Sequence, residues 1–194
     1  MHLIPEGYNR LVNSLAKDFK NIFLDFLEIT LISVAVFILV YLFAGQLLEV
    51  TGDSMVPTFH NKEQIVAEKI SIQFRPLEHG DIVIFRHPEQ PTKLLIKRVI
   101  GLPNETLLLS NGYVLINQNR IEEPYVSSQG NTYGSSEITD NSDFLIPPDH
   151  YVLMGDNRKE SSDSRHIGAI STDLIIGRAL LVFQPLKNFR LVEH

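Results

Sequence analysis

A run of twenty uncharged residues, Ile29 to Leu48, constrains this chain more than any other feature. The apolar core of a bilayer is about 30 Å thick, and an α-helix needs about 20 apolar residues to cross it. A buried core helix rarely has so many uncharged positions. The residues around Glu49 lack the small side chains at which a secretory signal peptide is cleaved. The run therefore predicts one transmembrane helix over residues 29–48.

Basic residues flank this segment unequally. Arg10, Lys17 and Lys20 precede it, whereas the first basic residue after it is Lys62. Short segments rich in Lys and Arg tend to remain on the cytoplasmic side of a membrane. We therefore expect a single-pass protein of the cell membrane, with a short cytoplasmic segment at residues 1–28 and an extracytoplasmic catalytic domain at residues 49–194.

Composition excludes several classes of protein. The net charge is −6 and no block of Lys and Arg occurs, which argues against a nucleic-acid-binding surface. The chain has no cysteine, so it forms neither disulfides nor thiolate metal sites. Its seven histidines do not have the spacing of metal ligands. No metal and no cofactor are expected, and 194 residues leave room for one domain besides the helix.

Short apolar runs separated by turns follow the helix and predict a mainly β domain. Asn111-Gly112 is typical of a two-residue hairpin turn, because both residue types tolerate positive φ. The polar stretch from Ser127 to Asp143 predicts an exposed connecting loop rather than a substrate-contacting one. The candidate strands are 64–70, 81–86, 94–100, 107–109, 114–117, 151–154 and 174–183.

Ser54 lies just after the apolar segment, between Gly52 and Pro57. Such glycine and proline placement favours a turn that exposes a side chain, although the fragment alone indicates only a turn. Two known serine-enzyme motifs do not fit. The α/β-hydrolase elbow requires glycine where Val56 stands, and the S-x-x-K motif requires lysine where Pro57 stands.

A serine nucleophile needs a base, and Lys97 is a candidate because it interrupts an apolar strand. Burial can lower a lysine pKa by up to about 3–5 units, which favours the neutral form. Arg98 cannot take this role because a guanidinium does not deprotonate in proteins. The alternative is an edge-strand lysine that extends to solvent. A third segment, Gly155 to Arg165, is dense in hydrogen-bonding groups, and by composition it could equally be a solvated turn.

Together the three segments resemble the type I signal peptidase family, the membrane-bound proteases that remove signal peptides from exported proteins. The matching segments are G-D-S-M-V-P-T (52–58), I-K-R-V-I-G-L-P (96–103) and G-D-N-R-K-E-S-S-D-S-R (155–165), in the family's order. The resemblance implies an antiparallel β-sheet or barrel-like signal peptidase fold preceded by one N-terminal transmembrane helix.

The resemblance also implies roles for individual residues. Ser54 would attack the scissile carbonyl, Lys97 would act as general base, and the Ser161 hydroxyl would orient the lysine. The backbone N–H of Ser54 would form the oxyanion hole. Some members add a serine hydroxyl where Gly52 stands, which leaves the second donor open. The residues implied to support the site are Gly52, Asp156, Arg158, Asp163 and Arg165.

The implied substrates are signal peptides of exported preproteins, bound as an extended strand and cut after small residues in an Ala-x-Ala pattern. Ser54 follows Leu48 by six residues, at most about 20 Å of extended chain, so the site is expected at the surface of the lipid bilayer. The residues implied to contact substrate are Val50, Thr51, Gly52, Asp53, Met55, Leu94, Leu95 and Ile96.

Two other interpretations fit parts of the sequence. Self-cleaving Ser–Lys repressors share the dyad and a β fold, but they act in the cytosol beside DNA, and the predicted anchor argues against them. A non-catalytic, membrane-tethered β domain that binds a partner would carry the serine and lysine by coincidence.

Overall fold

The computed structural model describes residues 6–192 and divides the chain after Ala44 into two compact units. The first unit contains a helix of 39 residues, Glu6–Ala44 (α1). Within it, Lys17–Ile38 has a mean hydropathy of 2.0 and is long and apolar enough to cross a membrane. Its large apolar side chains, such as Phe19 and Phe37, are exposed rather than packed against protein.

The helix has different bounds from the predicted segment 29–48. It begins at Glu6 and ends at Ala44, and residues Gly45–Glu49 form a strand, β1. This strand pairs antiparallel with Gln64–Glu68 (β2), which satisfies its backbone, and Leu48 packs against the adjoining core. Hydrophobicity alone cannot separate the end of an apolar helix from an apolar strand that follows it directly.

The second unit is mainly antiparallel β, as predicted, and all named strand pairs are antiparallel. After β1 and β2, the strands are Ile82–Arg86 (β3), Leu94–Gly101 (β4), Thr106–Ser110 (β5), Tyr113–Ile116 (β6), Asn119–Arg120 (β7), Phe144–Leu145 (β8), His150–Met154 (β9), Ile170–Ser171 (β10), Ile175–Gln184 (β11) and Arg190–Leu191 (β12). The larger sheet has the order β1-β2-β11-β3-β4-β9-β10, with β12 also paired to β11, and the smaller sheet has the order β7-β6-β5-β8.

Short helical turns complete the second unit. Two are α-helical turns, Ser71–Phe74 (α2) and Ser164–Ile167 (α3). Three are 3₁₀ turns, Arg158–Glu160, Thr172–Leu174 and Leu186–Asn188.

The seven longer strands of the domain lie where the sequence predicts them. The hydrophobic pattern does not predict the four two-residue strands or β1. Asn111 and Gly112 form the predicted hairpin turn between β5 and β6, with φ values of 52° and 81°. The polar loop from Ser127 to Asp143 differs from the prediction in one respect. Ile138 is fully buried and packs in the core of the smaller sheet, so the loop is fixed to the domain through this side chain.

Three apolar clusters form the core of this unit. One packs β1, β2, β3 and β11 against the segment that joins β1 to β2, through Met55 and Phe59. The second cluster packs against the smaller sheet and includes Leu107 and Leu109. The third cluster includes Phe85 and Leu153. Because Val50, Met55 and Phe59 belong to the first cluster, the segment that carries Ser54 is anchored to the sheet both before and after the serine.

Candidate active site

Ser54 lies in a loop of residues 50–63, the serine loop, whose two ends are joined by backbone hydrogen bonds. Val50 N–H donates to the carbonyl of Glu63 at 2.8 Å, and Lys62 N–H donates to the carbonyl of Val50 at 2.8 Å. Phe59 N–H also donates to the carbonyl of Met55 at 2.8 Å, which closes the turn after the serine. The loop therefore presents a half-buried Ser54 at a defined position beside the sheet.

Lys97, on β4, contacts Ser54 directly. Its Nζ donates to Ser54 Oγ at 2.7 Å and to the carbonyl of Ile96 at 2.9 Å. The lysine is only 3% exposed, so it does not extend to solvent as an edge-strand lysine would. The two residues that the sequence suggests as nucleophile and base are thus within hydrogen-bonding distance, although 43 positions separate them.

Burial determines the charge state of this lysine. Loss of hydration lowers the pKa of Lys97 from its ordinary value of 10.5 to about 8. The carboxylates of Asp163 and Asp156 favour the ammonium form and so oppose this shift. The positive charges of Lys93 and Arg165 disfavour the ammonium form and lower the pKa further. A lysine whose pKa lies close to neutral pH can accept a proton from a hydroxyl that it already contacts.

Ser161 follows the 3₁₀ turn after β9 and is buried, but the structure does not give it the contact with Lys97 that the resemblance implies. Its Oγ makes no hydrogen bond of good geometry with any described residue. The hydroxyl is nevertheless near enough to Asp163 to help lower the pKa of that carboxylate. Lys97 Nζ donates to two acceptors, so one of the three ammonium protons has no acceptor among the described residues.

Gly155 brings Ser161 and the serine loop together. A Cβ at this position would overlap Ser161 Oγ and the carbonyl oxygen of Ser54. Asn157 N–H donates to that same Ser54 carbonyl at 3.0 Å, and its side-chain amide donates to the carbonyl of Asp53 at 3.2 Å. The loop after β9 therefore packs directly on the backbone of the nucleophile.

Asp163 and Arg165 form a buried ion pair next to this contact. Arg165 Nε and Nη2 each donate to the Asp163 carboxylate at 2.8 Å, and Gly155 N–H donates to it at 3.0 Å. Burial alone would raise the pKa of Asp163, but the hydrogen bonds and charge of Arg165 hold it below its usual range. Arg165 thus keeps Asp163 ionised near Lys97, and the pair connects the two ends of the segment 155–165.

Asp156 pairs with Arg98, the neighbour of Lys97 on β4. Arg98 Nε and Nη2 donate to the two oxygens of the carboxylate at 2.9 and 2.8 Å, and both residues are buried. Thr58 Oγ1 donates to the same carboxylate. Adjacent residues of one strand thus serve different purposes: Lys97 contacts the nucleophile, and Arg98 connects β4 to the serine loop through Asp156.

Arg158 has partners that the sequence does not indicate. Its guanidinium pairs with Glu123, donates to Thr132 Oγ1 at 2.6 Å and donates to the carbonyl of Gly155 at 3.0 Å. Glu123 and Thr132 lie in the connection between β7 and β8 of the smaller sheet, and both are buried. Arg158 therefore ties the segment 155–165 to the smaller sheet.

Gly52 has a φ of 90°, which accounts for glycine at this position. A Cβ would meet nothing within 4 Å, so the reason is backbone conformation and not crowding by neighbouring atoms. The N–H of Gly52 donates to Asn61 Oδ1 at 3.1 Å. That N–H is therefore occupied, and the identity of a second oxyanion donor stays open.

A mostly apolar cavity of about 100 Å³ adjoins Ser54 and Lys97. On the side of β4 away from β3, Leu94, Leu95 and Ile96 have no strand partner among the described residues, because β9 pairs with β4 only from Arg98 onward. The other lining residues are Leu48, Glu49, Val50, Thr51, Ile65 and Ile84.

Five of the eight predicted substrate residues line this cavity: Val50, Thr51, Leu94, Leu95 and Ile96. Three do not. Gly52 and Asp53 are exposed on the loop outside the lining, and the Met55 side chain is 1% exposed and packs in the core beneath the loop. The side chain of Met55 therefore supports the loop from inside instead of facing the cavity.

Comparison with known proteins identifies relatives of this chain. The family described as "Signal peptidase, peptidase S26" matches residues 23–184. The chain is 36% identical over 154 residues to signal peptidase I of Leptolyngbya laminosa, covering 75% of this chain and 72% of that protein. It is 33% identical over 191 residues to signal peptidase I T of Bacillus subtilis (strain 168), covering 96% and 98%.

A crystal structure of a signal peptidase I from Enterococcus faecalis V583 aligns at 28% identity with a TM-score of 0.44, over 54% of this chain and 97% of that one. The family match spans far more than half of the chain, and the relatives align over most of their own length. The chain therefore belongs to the type I signal peptidase family, peptidase S26, a family of serine endopeptidases.

Proposed function

We propose that this protein cleaves signal peptides from exported preproteins by a Ser–Lys dyad, with Ser54 as nucleophile and Lys97 as general base. The observation that carries the proposal is the 2.7 Å contact between Lys97 Nζ and Ser54 Oγ, made by a buried lysine whose pKa is about 8. Neutral Lys97 takes the proton of Ser54 as its Oγ attacks the scissile carbonyl, and the resulting ammonium then gives a proton to the leaving amine.

Specificity for small residues follows from the cavity beside the dyad. An extended peptide pairs with the unpartnered edge of β4 at Leu94–Ile96 and places alternate side chains in the cavity. The space is small, about 100 Å³, and its walls include Val50, Ile65 and Ile84, so alanine-sized residues at the first and third positions before the cut are favoured. This is the Ala-x-Ala pattern.

The membrane anchor presents the site to its substrates. The apolar part of the segment Lys17–Ile38 crosses the bilayer, Arg10, Lys17 and Lys20 remain on its cytoplasmic side, and the domain from Gly45 onward lies outside. A preprotein that crosses the same membrane exposes its cleavage site just past its own apolar segment, on this outer side.

The test is incubation of the full chain in detergent with a preprotein that carries an Ala-x-Ala site. We expect one cut after the alanine at the first position, located by mass spectrometry, and no cut with Ser54→Ala. A matched substrate with leucine at that position should be left intact. Cleavage by Ser54→Ala at the wild-type rate would exclude this serine as nucleophile, and equal rates for alanine and leucine would exclude the specificity.

A further inference from the structure

Arg190 on β12 contacts the loop that carries Ser54, as the loop after β9 does through other residues. Its Nη2 donates to the carbonyl oxygen of Thr58 at 2.6 Å and to Glu63 Oε2 at 2.8 Å. Its Nη1 donates to Glu63 Oε1 and to the carbonyl of Asn188, both at 3.0 Å. One planar guanidinium thus joins β12 to two points of the serine loop.

Glu63 is the buried half of this arrangement. It is 2% exposed, whereas the side chain of Arg190 is 36% exposed. Its carboxylate also accepts from the backbone N–H of His60 at 3.1 Å and from the side-chain amide of Asn188 at 2.8 Å. A carboxylate so deeply buried needs charged and polar partners, and Arg190 supplies the only positive charge in contact with it among the described residues.

The position of these contacts in the loop matters for the nucleophile. Glu63 is the residue whose carbonyl accepts from Val50 N–H and so closes the loop at its end. Thr58 is fixed at its hydroxyl by Asp156 and Arg98, and at its carbonyl by Arg190. Without Arg190, the Thr58 carbonyl would lose this hydrogen bond and the Glu63 carboxylate would lose its charged partner, while the core packing of Met55 and Phe59 would remain.

We propose that Arg190 is a positioning residue for Ser54: by binding the Thr58 carbonyl and the Glu63 carboxylate together, β12 fixes the serine loop in the geometry that places Ser54 Oγ against Lys97. This proposal rests on the proposed function, since it assumes that Ser54 is the nucleophile. It assigns a role in catalysis to a segment that lies more than twenty residues beyond Arg165, the last residue of the three motif segments.

The experiment compares kcat and KM of Arg190→Lys and Arg190→Ala with the wild type, on full-length protein in detergent and with an Ala-x-Ala peptide. Lysine keeps the charge but cannot bind the carbonyl and both carboxylate oxygens at once. We expect kcat per folded enzyme to fall at least about tenfold in both variants, because each loses a charge-assisted hydrogen bond to the loop. KM should change less than about twofold, because Arg190 does not line the cavity beside the dyad.

The pH profile separates positioning from an effect on the base. The main charges that act on Lys97 are those of Asp163, Asp156, Lys93 and Arg165, and Arg190 is not among them. The ascending limb of kcat/KM should therefore stay at the wild-type pH in both variants. Arg120→Ala is the matched control, since Arg120 is exposed, stacks on Tyr113 in the smaller sheet and should leave kcat unchanged.

If Arg190→Ala does not fold, the proposal is tested by the kcat of the folded variants Arg190→Lys and Glu63→Gln. Wild-type kcat in these variants, or a loss confined to melting temperature and yield, would overturn the proposal and leave Arg190 a purely structural residue. The dyad is judged separately. A wild type that cleaves nothing refutes the proposed function, whereas an active wild type with inactive Ser54→Ala upholds it whatever Arg190 does.

Discussion

At the scale of single residues, burial and nearby charges have opposite effects on the pKa of Lys97. An ammonium on β4 is costly because burial removes its hydration, and the nearby Asp163 and Asp156 recover part of that cost. The result is a pKa of about 8, between the ordinary lysine value of 10.5 and neutrality. At pH 7 about a tenth of the molecules then hold a neutral lysine, against fewer than one in a thousand for an unperturbed one.

This pKa predicts the pH dependence of cleavage. A general base is active when it is neutral, so kcat/KM should rise with pH and level off above the pKa of Lys97. We expect the midpoint of the ascending limb near pH 8, measured with an Ala-x-Ala peptide from pH 6 to pH 10. A midpoint above about pH 10 would mean that Lys97 is unperturbed in the free enzyme.

Lys97→Arg should be as inactive as Ser54→Ala. Arginine retains charge and length but does not deprotonate in proteins, so it cannot accept the serine proton. Lys93→Arg is the control, because Lys93 is exposed and the substitution preserves the charge that acts on Lys97. Substantial cleavage by Lys97→Arg would show that another group is the base.

Gly155 gives a third prediction at this scale. A methyl group there overlaps Ser161 Oγ and the Ser54 carbonyl, so Gly155→Ala must displace one of them. A displacement of about 1 Å at a reacting group can reduce the rate about a hundredfold, and we expect a loss of that order in kcat/KM. Ser162→Ala, at an exposed neighbour of Ser161, should leave the rate unchanged; full activity of Gly155→Ala would mean that the loop accommodates the methyl group.

At the scale of elements, buried ion pairs join the strands to the loops that complete the site. The Arg98–Asp156 pair connects β4 to the loop after β9, with both side chains almost wholly buried. Asp156→Asn would leave the Arg98 charge uncompensated, which in comparable sites costs about 3–5 kcal/mol of the free energy of unfolding. We expect a clear fall in melting temperature, measured by scanning calorimetry in detergent.

The control for that measurement is Glu78→Gln. Glu78 pairs with Arg75 at the surface, where the two side chains are 65% and 55% exposed, and such a pair contributes about 0–1 kcal/mol. Its melting temperature should stay close to the wild type. Equal melting temperatures for the two variants would contradict the role given to the Arg98–Asp156 pair.

Strand periodicity and turn residues predicted most of the elements, because these signals are local. Asn111 and Gly112 specify their turn through their own φ preferences, and the long strands alternate or run apolar as buried strands do. The bounds of α1 and β1 could not be predicted, since Gly45–Glu49 continues the apolar composition of the helix and only its pairing with β2 makes it a strand.

The site was predictable to the extent that its residues lie in recognisable segments. Ser54, Lys97 and the segment 155–165 were found through their resemblance to a family, not through spacing, because 43 residues separate serine and lysine. The partners of that segment had no such signal. Glu123 pairs with Arg158 across 35 residues and Glu63 with Arg190 across 127, and single charged residues at such separations have no local pattern.

At the scale of the whole molecule, the helix and the β unit have opposite relations to solvent. The β unit buries its apolar side chains in three clusters, whereas the described part of α1 exposes Phe19, Ile22 and Phe37. A helix of 39 residues with such a surface is unfavourable in water and favourable in lipid. Detergent or bilayer is therefore the proper medium for all of the measurements above.

The membrane orientation is the last prediction. Arg10, Lys17 and Lys20 precede the apolar segment and only Lys62 follows it closely, so the N-terminal end should remain in the cytoplasm. Protease added to intact spheroplasts should then digest the domain beyond Glu49 and spare a cytoplasmic marker protein. Replacing all three preceding basic residues by glutamine should increase the protected fraction, because it removes the charge difference that sets the orientation. A domain that is fully protected until the cells are lysed would reverse this topology, and would place Ser54 on the side of the membrane from which preproteins depart.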